Sequence, residues 1–111
     1  MTADTAVDLS RAATMIELGR HDEATSLLAT VVAADPDGSR GWCLLSRAHL
    51  GAGRGAEALA AARRAGALNP ADDWPYRLAS TALLSLGQNT EAVAATQEAR
   101  RLAPNFWRSH V

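Results

Sequence analysis

The stretch Leu18-Gly19-Arg20-His21-Asp22-Glu23-Ala24 decides the architecture, because it returns twice. Residues 53–58 read Gly-Arg-Gly-Ala-Glu-Ala, and residues 87–92 read Gly-Gln-Asn-Thr-Glu-Ala. Gly19, Gly53 and Gly87 stand 34 apart, as do Ala24, Ala58 and Ala92, and Pro36, Pro70 and Pro104 keep the same step. A period of this length marks a stacked array of helical units.

Working outward, each turn separates two helical patterns. Leu9, Ala12, Ala13 and Ile16 recur at helical spacing and predict a helix ending near Leu18. Asp4 or Asp8 would cap it, and Gly19 would end it in a left-handed conformation. Asp22 is expected to cap a second helix, whose apolar face is Ala24, Leu27, Leu28, Val31 and Val32. Asp35-Pro36-Asp37-Gly38 closes the first unit, since proline disfavours helix at the residue before it.

The second unit, residues 39–72, starts at a Ser39 cap and carries Trp42, Leu45, Ser46 and His49 on one face. Its second helix carries Ala58, Leu59, Ala62, Ala65 and Leu68. The third unit, residues 73–106, starts at Asp72 or Asp73, with Pro75 in the first turn, where a missing N–H costs nothing. Tyr76, Ala79, Ser80, Leu83 and Leu86 form its inner face. After Gly87, Thr90 would cap a helix lined by Ala92, Val93, Thr96, Ala99 and Leu102. The first unit covers residues 5–38, and residues 107–111 begin a fourth in register and stop.

Composition excludes several functions. Alanine dominates a chain that is 48% hydrophobic but only 5% aromatic, so helices approach closely and bury little area each. The formal net charge of −1 gives no basic surplus for general nucleic-acid binding. Every basic side chain is arginine, which suits bidentate contacts to carboxylates or phosphates and equally reflects a GC-rich genome. One cysteine, Cys43, leaves no intrachain disulfide. The polar, acidic N-terminus lacks the features of a signal peptide, and no apolar run approaches the ~18 residues of a membrane span. A cytoplasmic location is the expectation.

Gly51-Ala52-Gly53-Arg54-Gly55 mimics a phosphate loop, but no strand precedes it and no Gly-Lys-Ser/Thr follows. His21, His49 and His110 have no ligand spacing with a cysteine or acid, so no metal site is predicted. No nucleophile, base and orienting acid stand together, so the expectation is a non-enzyme without cofactors.

The pattern resembles the tetratricopeptide repeat family over residues 5–106. Trp42, Leu45, Ser46, His49, Ala58, Ala62, Ala65 and Pro70 occupy its signature positions. So do Tyr76, Ala79, Ser80, Leu83, Ala92, Thr96, Ala99 and Pro104. The first unit departs, with Asp8 and Arg11 at the first large pair. The resemblance implies an all-α, right-handed superhelical array of antiparallel helix pairs, a single domain over 1–111. It also implies a non-catalytic protein-binding scaffold whose first helices line a concave groove.

By the same resemblance the groove falls on Leu9, Ala13, Arg40, Cys43, Leu44, Arg47, Leu50, Trp74, Arg77, Leu78, Thr81 and Leu84. A subclass grips chaperone tails through polar residues at the positions of Leu9, Ala13, Leu44, Trp74 and Leu78, none of them suitable here. The register brings Arg47 and Arg77 together across the groove. They are expected to hold an acidic or carboxylate-bearing peptide, with Trp74 and Leu50 as the apolar anchor, unless they pair with Asp72 and Asp73. Cys43 is either a thiol activated by nearby arginines or a small packing residue. Arg63-Arg64 and Arg100-Arg101 are expected on the convex side in solvent.

Two further expectations concern the end of the array. Val93, Leu102, Phe106 and Trp107 lie where no later helix covers them, which suits self-association. The break inside a fourth unit suits the N-terminal regulatory portion of a larger enzyme or transcription regulator.

Overall fold

The computed structural model describes residues 3–104. Six helices follow one another: α1 (Ala3–Glu17), α2 (His21–Ala34), α3 (Ser39–Gly51), α4 (Gly55–Leu68), α5 (Trp74–Ser85) and α6 (Asn89–Leu102). There is no strand among the described residues.

Gly19, Gly53 and Gly87 join α1 to α2, α3 to α4 and α5 to α6, at φ of 77°, 78° and 77°. Their geometry is a Schellman ending. The Gly19 N–H donates to the Ile16 carbonyl, and the next N–H, from Arg20, reaches back to Met15. Gly53 and Arg54 repeat this on Leu50 and His49, and Gly87 and Gln88 on Leu84 and Leu83.

The turn is so short that the residue ending one helix also starts the next. The Arg20, Arg54 and Gln88 carbonyls accept from Ala24, Ala58 and Ala92. This corrects the expected caps. Asp22 and Thr90 lie inside helices that begin before them, and the N-cap positions are Arg20 and Gln88, without side-chain caps. Ser39 is likewise the first residue of α3, after Gly38 at the cap. Asp4 falls in the first turn of α1, and Asp8 is within that helix, beside Arg11 at 3.7 Å. Asp72 does act as expected, its carboxylate accepting the Trp74 N–H at 3.0 Å, with Pro75 following in the first turn.

Small residues sit where helices cross. Ala12, Ala24, Ala48, Ala58, Ala65, Ala82 and Ala99 have no exposed surface. Ser46, equally buried, donates to the Ala58 carbonyl at 2.7 Å, tying α3 to α4. Thirty-four residues on, Ser80 donates to Ala92 at 3.1 Å and meets the Thr96 hydroxyl at 2.6 Å. In the first pair Ala12 stands at the serine's register, and Leu9, Ala12, Ile16, Ala24 and Leu28 pack α1 against α2.

The core forms in two parts. Leu9, Ile16, Leu28, Val31, Leu44 and Leu45 fill the first; Cys43, Leu59, Leu78, Ala79 and Leu83 belong to the second. Trp42 and Trp74 pack against both, so the parts are continuous. The Trp42 Nε1–H donates to the Pro36 carbonyl at 2.8 Å, which satisfies the ring's one polar atom.

The packing order sets the curvature. Each helix packs on its successor, and α1 also packs on α3, as α3 does on α5, whereas the backbones of α2, α4 and α6 stand apart and α4 reaches α6 only through side chains such as Arg63 and Glu91. First helices that meet and second helices that splay make an array concave on the side of α1, α3 and α5.

Candidate protein-binding face

Arg40 and Arg47 lie on α3, seven residues apart and therefore on one side of the helix, roughly 10 Å along its axis. Arg40 is exposed and Arg47 half-buried. Neither makes a hydrogen bond or ion pair among the described residues. Most other arginines do. Arg11 meets Asp8, Arg20 meets Glu23 at 3.0 Å, Arg54 meets Asp22 at 3.0 Å, Arg63 meets Glu91 at 3.8 Å, and Arg101 meets Glu98. Arg64 lies 6.0 Å from the Trp42 ring centre, a cation–π contact. Arg40 also stands in the first turn of α3, where the helix dipole disfavours a cation.

Arg77, unlike Arg47, already faces a carboxylate of the chain. Its Nε donates to Asp73 Oδ2 at 2.7 Å, one helical turn back, and both groups are half-buried. The carboxylate expected from a ligand is supplied by the chain itself. Arg77 and Thr81 line a hollow of about 260 Å³ with Ser80 and Thr96. Leu84, 57% exposed, falls instead in a neighbouring hollow with Val93, Thr96, Gln97 and Arg100. The structure thus joins Leu84 to the end of the array rather than to α3.

Cys43 is corrected too. It is 1% exposed and packed among Ala58, Leu59 and Leu78, so it does not line an open groove. Burial pushes its thiol up to about 12, Asp72 adds to the rise, and Arg77 opposes it. Such a thiol stays protonated and inert. Leu9, Leu44 and Leu78 are likewise core residues. Leu50 and Trp74 are half-buried and keep apolar surface toward solvent.

At the far end, Val93 is 56% exposed, whereas Leu59, its counterpart 34 residues earlier, is 8% exposed. The difference is that α4 is packed between α3 and α5, while α6 has α5 as its one packing neighbour among the described helices. Leu102 is half-buried; Phe106, Trp107 and His110 lie outside the described residues.

One cluster was not legible beforehand. Arg54 in the α3–α4 turn donates from Nε to His49 Nδ1 at 3.0 Å, from one amino group to Asp22 at 3.0 Å, and from the other to Thr25 Oγ1 at 3.1 Å. Its only sequence signal is its place directly after a turn glycine. Among the described residues no group of three His, Cys, Asp or Glu side chains is arranged to hold a metal. No helix among the described residues is long and apolar enough to cross a membrane.

Comparison with known proteins places this geometry. Residues 5–68 match the sequence profile of the bacterial transcriptional activator domain. No curated protein matches the chain in sequence. Among solved structures, the Yersinia enterocolitica type III secretion translocator chaperone SycD superposes with a TM-score of 0.90 at 18% identity, over 95% of this chain and 80% of that one. MamA of MSR-1 superposes at 0.82 with 24% identity, over 91% of this chain and 58% of its own. The second tetratricopeptide domain of Spaghetti (RPAP3), bound to the HSP90 peptide SRMEEVD, superposes at 0.85 with 19% identity, over 90% and 93%. The chain therefore spans little more than half of MamA's length. The fold is an all-α solenoid of the tetratricopeptide type.

Proposed function

The chain belongs to the bacterial transcriptional activator domain family, and on that premise we propose that it is a non-catalytic module that binds a partner protein on its concave face. The partner segment is acidic. The observation that carries this reading is the pair Arg40 and Arg47, aligned on α3 and in no ion pair with a described residue. An arginine in the first turn of a helix costs stability, and a bound carboxylate offsets it. Leu50 and Trp74 supply apolar surface nearby. With a net charge of −1 the module is unsuited to hold DNA by itself, so its part in activation is protein contact. The RPAP3 domain's HSP90 peptide is not the ligand inferred here, because the polar positions of that clamp are Leu9, Ala13, Leu44, Trp74 and Leu78 in this chain.

Fluorescence anisotropy against a panel of acidic and neutral peptides tests this. The Arg40→Glu, Arg47→Glu double variant, checked for unchanged helicity, should bind acidic peptides at least about tenfold more weakly, since a charge-assisted hydrogen bond contributes roughly 1.5–3 kcal/mol. Undiminished binding by the double variant would sink the reading.

A second reading is self-association through the open end of the array, favoured by Val93 and Leu84, which line one hollow and are 56% and 57% exposed. Light scattering over a concentration series separates the two. A monomer at every concentration would rule the second out.

A further inference from the structure

The junction between the first two helix pairs is built differently from the junction between the second and third. At the first, Arg54 is held by His49 behind it and by Asp22 and Thr25 of α2 in front. The His21 ring of α2 lies over Gly51, and its Nδ1 is buried without a partner. At the second junction the same register positions carry Leu83 for His49, Leu59 for Thr25, Gln88 for Arg54, Ala56 for Asp22 and Gly55 for His21. Leu83 and Leu59 are both buried there in an apolar contact, with the Arg63–Glu91 ion pair at 3.8 Å beside it and no histidine.

His49 can accept from Arg54 only while Nδ1 keeps its lone pair, which places the ring's single proton on Nε2. We propose that His49 is an acid-sensitive latch: a proton taken from solvent at Nδ1 removes Arg54's acceptor and sets an imidazolium against its guanidinium, so that Arg54 lets go of α2 and the α1–α2 pair loosens from α3–α4. The second junction, which carries no histidine, stays closed. The charged and titratable groups around this ring are Arg54 in the turn, Glu57 on α4, and Asp22 and His21 on α2. Burial, and then Arg54, hold the His49 pKa below the ordinary histidine value, while Glu57 opposes them, so the resting ring is neutral. The latch does not rest on the concave-face reading.

Hydrogen exchange read by mass spectrometry on the full chain tests it, at about pH 7.5 and about pH 5.5, which bracket the ordinary histidine value. After correction for intrinsic rates, α1–α2 peptides should exchange several-fold faster at the lower pH relative to α5–α6 peptides. In His49→Gln, whose amide oxygen still accepts from Arg54 but does not titrate, that ratio should be flat. His21→Gln should keep the wild-type dependence. A flat ratio in the wild type, a dependence that survives His49→Gln, or one that vanishes with His21→Gln would each overturn the latch. Should His49→Gln fail to fold, an NMR titration of the wild type decides: α2 amide shifts must move with the midpoint of the His49 ring, and a different midpoint overturns the proposal.

Discussion

The imidazole of His21 sits directly against the Cα of Gly51. A Cβ on Gly51 would stand 2.2 Å from His21 Cε1 and 2.4 Å from Nδ1. At the next junction the sizes are reversed: Gly55 is the small partner, and a Cβ on it would stand 2.5 Å from the Ser85 hydroxyl. Gly51→Ala must expel the ring, and the lost packing outweighs alanine's better helix propensity. The expected cost is about 1–3 kcal/mol in urea denaturation. In a His21→Ala background the same change should be neutral or stabilising by up to about 1 kcal/mol, and a cost that persists there would show that the ring is not the obstacle.

The three turn glycines stand at φ near +77°, where a side chain is strained. Gly53→Ala should cost roughly 1–2 kcal/mol, and Gly53→Asn less, since asparagine tolerates this region. Thermal or urea unfolding of the two variants checks the order.

Ser46 is buried where α3 crosses α4, and its counterpart Ser80 does the same for α5 and α6. Ser46→Ala should cost only about 0.5–1.5 kcal/mol, the net worth of one hydrogen bond. Ala12 already occupies this position in the first pair. Ser46→Leu should cost about 3 kcal/mol or more, because it drives two helices apart rather than removing one bond. Equal costs in denaturation would mean that close approach is not what the small residue provides.

Cys43 is 1% exposed and its thiol is pushed up to about 12. Iodoacetamide at neutral pH should therefore label it far more slowly in the native state than in urea, with the rate following global unfolding. Labelling at the rate of a free thiol would contradict the burial.

The pH dependence of stability has a definite sign. His49 is favoured neutral in the fold, so the unfolded chain binds more protons once the pH falls below the ordinary histidine value. Its contribution is complete above about pH 6.5 and is lost progressively as acid brings the pH down through the folded pKa. Urea midpoints should fall between about pH 7.5 and about pH 5.5, and His49→Gln should reduce that fall.

Much of the fold is legible residue by residue, because its signals are local. A glycine that must take positive φ, a proline that stops a helix and an alanine that recurs at a crossing act within a few positions of themselves. The short Schellman turn shows where local reading slips. Asp22, Ser39 and Thr90 have capping side chains, yet Arg20, Gly38 and Gln88 hold the cap positions. A residue can end one helix and open the next with its backbone alone, and composition does not record that.

The sequence by itself determined the 34-residue period, the turns at Gly19, Gly53 and Gly87, and the buried stripes of α1, α2 and α4. Each of these follows from a 3.6-residue period or a single backbone angle. Only the tertiary structure decided that Cys43 and Leu44 point inward, that Arg77 is held by Asp73 while Arg47 is not so held, and that Arg54 reaches back to Asp22 and Thr25, 32 and 29 residues away. Those outcomes depend on the angle at which one helix pair rests on the next and on how far a side chain reaches across it. A repeat fixes the spacing of such contacts along the chain but leaves their partners to the packing.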